Sequence, residues 1–103
     1  MKSIMQTRKE CYVCRKLVGE EIPLPDAGLE MHHIFGGANR RLSEKYGLKV
    51  WLCHMHHNEP PEGVHFNWDL MRHMHQKGQE AFERAYPGSD FRRFFGKNYK
   101  ETK

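Results

Sequence analysis

LKVWLCHMHH, Leu48 to His57, changes character at its midpoint. Its first six residues place Val50 and Leu52 on one face and Trp51 on the other, the two-residue period of a half-buried β-strand. Its second half sets Cys53 and His56 three apart, a spacing at which one tight turn can aim two ligands at one ion. Tetrahedral zinc needs a second such pair, and Cys11-Tyr-Val-Cys14 supplies it. All 3 cysteines of the chain then fall at ligand positions, giving a Cys3His set of Cys11, Cys14, Cys53 and His56. His54 and His57 are alternatives for the fourth place. A closed shell of four protein ligands leaves no position for substrate, so the expected role is a structural zinc.

Working outward, Leu29 to Phe35 (LEMHHIF) reads as the other strand, ended by Gly36-Gly37. The basic, polar stretch Ala38 to Gly47 reads as a loop with one helical turn. Glu20 to Gly28 (EEIPLPDAG) is a turn-rich connector, and Pro60-Pro61 makes the histidine-bearing stretch after Cys53 a loop. From Asn67 to Tyr86 the pattern becomes helical: Leu70, Met74, Ala81, Phe82 and Ala85 share a face, Asn67 caps the start and Pro87-Gly88 stops the end. A last short helix runs from Ser89 or Asp90 through Phe95. The expected fold is α+β, a β-hairpin followed by a long helix.

Composition narrows the classes. The chain has 103 residues, room for one domain over 1–103, with 1–10 and 100–103 expected as flexible ends. A core this small needs a staple, whether a metal or a partner subunit. No apolar run is long enough to span a membrane. An odd number of cysteines rules out a complete disulfide framework, and the start, MKSIMQTRKECYVC, offers no stretch resembling a signal peptide. The cytoplasm is the expected location. A net charge of +4 favours polyanionic partners. The 8 histidines all lie between His32 and His75, which points to metal chemistry.

His32-His33 carries the second constellation. Neighbouring residues on a strand face opposite ways, so the pair suits a division of labour, one imidazole on a metal and the other toward a substrate water. Arg40, Arg41, Lys45 and Lys49 follow it, and Arg92, Arg93, Lys97, Lys100 and Lys103 fill the tail, each able to neutralise a phosphate. Phe91, Phe94, Phe95 and Tyr99 read as core residues, and His73 and His75 as surface histidines.

In combination, C-x-x-C, the HHI with its glycines and LC-x-x-HH resemble the HNH endonucleases of the ββα-metal (His-Me finger) type. Over Cys11 to Tyr99, HHIFGGANRRLSEKYGLKVWLC, GVHFN, GQEAFE and FGKNY are similar to phage-borne HNH proteins related to a RecA-dependent recombination-enhancement nuclease. The resemblance implies a zinc-stabilised treble-clef domain and a DNA endonuclease serving phage or prophage recombination or processing in a bacterial host. It places His33 as general base, His32 as ligand of a catalytic divalent metal, and His57 as another such ligand. The family helix begins directly after that last histidine, whereas Asn58-Glu59-Pro60-Pro61 intervenes here, so His65 competes with His57 for that place. Asn39 is the nearest match to the family's middle asparagine, which holds the base-bearing loop. A neutral imidazole suits proton abstraction near pH 7. The metal, whether magnesium, manganese, nickel or zinc, is left open. Two rivals stand beside this reading: a non-catalytic, zinc-stabilised DNA-binding module, and a nuclease for branched or single-stranded DNA that needs a recombinase filament.

Overall fold

The two strands pair antiparallel in the computed structural model, which describes residues 1–100. Strand β1 is Leu29–His33 and β2 is Lys49–Cys53, in a register that sets His32 opposite Val50 and His33 opposite Lys49. Alternation then fixes the faces. Glu30, His32, Val50 and Leu52 share the inner side, and Met31, His33, Lys49 and Trp51 the other. Val50 and Leu52 are fully buried and His32 nearly so. The architecture is α+β, a two-stranded hairpin with helices around it.

Helix α1 (Tyr12–Val18) starts at the first cysteine, and α2 (Arg40–Tyr46) lies between the strands. The latter corrects the expected loop. A single 3-10 turn, Gly37–Asn39, leads straight into it, and Ser43 locks it to the strand end: its hydroxyl accepts from Phe35 N at 2.9 Å and donates to Phe35 O at 2.8 Å. A second correction is α3 (His54–Asn58), a short helix where the sequence reads as loop. Pro60-Pro61 ends that helix but does not reach back to prevent it.

The long helix α4 is Trp68–Ala85, with the Asn67 side chain accepting from Leu70 N at its start. Met74, Ala81 and Phe82 are buried as expected, whereas Ala85 is exposed, because the helix ends one turn beyond its contact with the core. Gly78 permits that contact. A Cβ there would lie 2.8 Å from Ile34 Cγ2 and 3.0 Å from Phe35 Cε2. Helix α5 (Phe91–Phe95), capped by Asp90, inserts Phe91 and Phe95, which stack at 4.4 Å between ring centroids and border Phe35 and Phe82. Phe94 stays half outside at 40% exposure. His75 is not a surface residue: its ring stacks on Phe35 at 5.1 Å and meets Tyr99 at 4.6 Å.

The first ten residues, expected as a loose end, are tied to β2. Ile4 N donates to Gly47 O, Ser3 Oγ to Lys49 O and Trp51 N to the Gln6 amide oxygen. These bonds satisfy the outer edge of β2, which a two-stranded sheet otherwise leaves open. Lys103 lies outside the described residues. No helix among the described residues is long and apolar enough to cross a membrane.

Candidate metal centres

Cys11, Cys14, Cys53 and His56 converge from three elements. Cys11 precedes α1 and its sulfur accepts from Cys14 N, so the turn that starts the helix holds the first pair. Cys53 ends β2, and His56 follows within α3, which sets the second pair. His56 Nδ1 lies 3.6, 3.5 and 3.3 Å from the sulfurs of Cys11, Cys14 and Cys53, and the last two sulfurs are 3.9 Å apart. Zinc with bonds of about 2.3 Å to sulfur and about 2.0 Å to nitrogen gives a tetrahedron with edges of about 3.5–3.8 Å. The four side chains are close enough to bind a metal such as zinc. Burial and the neighbouring sulfurs push the Cys14 thiol up to about 12. Such a set ionises readily only around a cation. His54, an alternative fourth ligand by spacing, turns away, with Nδ1 2.8 Å from Glu30 Oε2.

A second cluster joins His32, His57 and His65, whose candidate ligand atoms lie within 4.8 Å of one another. The sequence sets His57 and His65 as rivals for one place, and the fold brings both to His32. Their rings stand 5.2 Å from the His32 ring, and their Nε2 atoms are 3.3 Å apart. The loop after α3 makes this happen by doubling back. Val64 N donates to His56 O at 2.8 Å, and Val64 is buried beneath, which delivers His65 beside His57. Gly63 is required at that turn, since a Cβ would sit 2.7 Å from Glu59 N.

The donor chemistry of this cluster fits a cation. His32 Nε2 is a buried side-chain nitrogen with no hydrogen-bond partner among the described residues. Leaving such an atom unsatisfied costs about 1–3 kcal/mol. Burial, then the facing imidazoles of His57 and His65, hold the His32 ring down at about 3, so it is neutral and able to ligate near pH 7. Burial and His57 lower His65 as well. Glu30, two residues before His32 on the same face, accepts from His57 Nδ1 at 2.8 Å. That bond fixes the tautomer with Nε2 free for a metal. His57 first and His54 next depress the Glu30 carboxyl to about 2. His65 is exposed, so this cluster is open to solvent on one side, whereas Cys11 and His56 of the Cys3His set are buried.

The remaining sequence candidates are elsewhere. His33 is on the opposite face of the hairpin, with Nε2 2.8 Å from Glu44 Oε1. Lys49 donates to Glu44 Oε2 at 2.8 Å and is nearly buried, so it is not free to meet phosphate. Strand alternation puts it beside His33 on the face opposite His32, where Glu44 covers it. Arg40, Arg41 and Lys45 are exposed on α2. The Asn39 amide donates to Phe95 O at 3.0 Å, tying the turn before α2 to α5. Sequence reasoning passed over Glu30 and Glu44. For Glu30 the signal was present, since the two-residue period puts it on the His32 face.

No family model, curated protein or solved structure matches the chain.

Proposed function

We propose that this protein is a metal-dependent DNA endonuclease of the HNH type, with the hairpin and Cys3His set forming a treble-clef, ββα-metal scaffold. The observation that carries the reading is the orphaned Nε2 of His32, buried against two further imidazoles with one side open. In this reading His32, His57 and His65 would hold a divalent metal, which would supply Lewis-acid stabilisation of the scissile phosphate. Imidazole donors favour zinc or nickel there over magnesium. Glu30 holds His57 in its ligating tautomer, and the exposed Arg40, Arg41 and Lys45 neutralise backbone phosphate without reading sequence. The resemblance makes His33 the acceptor of the attacking water's proton, although it lies across the hairpin from the histidine cluster, with Glu44 holding its ring. The role would be phage or prophage DNA recombination or processing, in the bacterial cytoplasm, with a recombinase filament as partner.

The position of His33 favours a second reading, a zinc-stabilised DNA-binding module without catalysis. Its Nε2 is engaged by Glu44 and it lies across the hairpin from His32. One assay separates the two. Plasmid, single-stranded and branched DNA are incubated with magnesium, manganese, nickel or zinc, with and without a recombinase filament. The nuclease reading expects cleavage that His32→Ala abolishes and His33→Ala slows by about two to four orders of magnitude. DNA binding without cleavage under every condition would leave the binding module. Cleavage at wild-type rate by His33→Ala would remove the base assignment alone.

A further inference from the structure

The segment after His65 exposes two large aromatic rings that the core does not use. Phe66 is 57% and Trp68 is 74% exposed, the latter the most exposed large apolar side chain among the described residues. They are not scattered. With Val64, His65, Asn67 and Met71 they line a cavity of about 350 Å³. The aromatic wall therefore begins at a metal-ligand candidate and runs onto the first turn of α4. None of the lining residues is acidic. Arg72 follows Trp68 by one helical turn, on the same flank. Its only ion pair among the described residues, to Asp69 at 3.3 Å, joins two well-exposed side chains, 58% and 86% accessible, and holds the guanidinium weakly.

We propose that Phe66 and Trp68 form a stacking platform for an unpaired base of the DNA strand whose phosphate lies at the His32–His57–His65 cluster. The chemistry selects this occupant. An exposed ring recognises a flat π-face, and a nearby arginine meets the phosphate attached to it, the combination used on single strands. Duplex DNA offers base edges and phosphates but keeps its base faces stacked, so two protruding rings gain little from it. A purely apolar partner would leave Arg72 and His65 without a counterpart. The proposal names the substrate of the site described above and rests on that reading for the position of the phosphate.

The test measures binding, not cleavage, in full-length protein with the histidine cluster intact and on nuclease-resistant phosphorothioate strands, so that its outcome is independent of whether the chain cuts DNA. Affinities for a short oligothymidine, the same strand without bases, and a duplex of equal length are measured by fluorescence anisotropy. Trp68→Ala should weaken oligothymidine binding about tenfold, the usual effect of losing one base–aromatic stack. Phe66→Ala should act in the same direction, Trp68→Tyr should recover most of the loss, and duplex affinity should stay unchanged. The baseless strand should bind equally weakly with or without Trp68. Unchanged oligothymidine affinity in both alanine variants overturns the proposal, and so does an equal loss on duplex. A dimer in solution that Trp68→Ala converts to monomer, with oligothymidine binding intact, would assign the surface to a second copy instead. Failure of the cleavage assay alone would leave this result standing.

Discussion

Glu30 accepts from His57 Nδ1 at 2.8 Å, and the other nitrogen of the same ring faces His65 Nε2 at 3.3 Å. The carboxylate thus orients the imidazole from behind. Glu30→Gln keeps the size but loses the charge and the certainty of the tautomer. It should weaken divalent-metal binding at the histidine cluster about 10- to 100-fold, the usual effect of removing such a support. Isothermal titration with nickel, on protein whose thiolate site already holds zinc, would read this directly. Wild-type affinity in the variant would show that Glu30 serves only its bonds to His54 and Asn58.

Zinc at the four-ligand site should decide whether the chain folds. Structural zinc contributes about 10–16 kcal/mol in small domains, against a net stability of about 5–15 kcal/mol for a folded protein. Cys11→Ser and Cys53→Ser should therefore leave the chain largely unfolded, and a strong chelator should do the same to the wild type. Circular dichroism with metal analysis tests it. A metal-free protein melting at the wild-type temperature would dismiss the site.

Gly78 separates two opposing effects. Alanine in a helix interior gains about 1 kcal/mol over glycine. Here the added methyl meets the buried, β-branched Ile34 at 2.8 Å and the Phe35 ring at 3.0 Å, and overpacking costs about 1–3 kcal/mol. Gly78→Ala should lower the melting temperature, and a rise would mean that α4 shifts freely on the hairpin.

Glu44 gives a pH prediction. Lys49 first, then His33, hold its carboxyl down at about 2, against an ordinary value of 4.5. A carboxyl depressed on folding adds stability that is complete above the unfolded value and fades as pH falls through the folded one. The contribution should thus persist at neutral pH and disappear between about pH 4.5 and 2. Carbon-13 NMR of the Glu44 carboxyl should show no titration from pH 7 down to the acid limit of the fold. In Lys49→Met it should titrate nearer the ordinary range. An ordinary midpoint in the wild type would remove the brace from His33.

Local signals in the sequence were easy to read, and those depending on return paths were not. Two ligands three apart form a turn by themselves, so both halves of the thiolate set were visible from spacing. So were the two strands and α4, whose periodicity and asparagine cap lie within one segment. The short helices α2 and α3 were missed because seven- and five-residue helices owe their stability to what they pack on. Ser43 clasping Phe35 and His56 reaching the three sulfurs are contacts that no local pattern encodes. The joint presence of His57 and His65 depends on Val64 folding back onto His56, so the sequence could only set the two as alternatives. Lys49 reads as a free cation because its partner, Glu44, sits on a helix whose sequence reads as loop.

Helix α3 gives consecutive residues to different centres, His56 to the sulfurs and His57 to the imidazoles. A five-residue helix has little rigidity of its own, so its pitch is set where His56 is anchored. Filling the thiolate centre thereby aims the adjacent ring, and emptying it lets that ring swing. Any ion that the sulfurs take up therefore also fixes the neighbouring imidazole, and the two clusters are joined mechanically through one peptide bond.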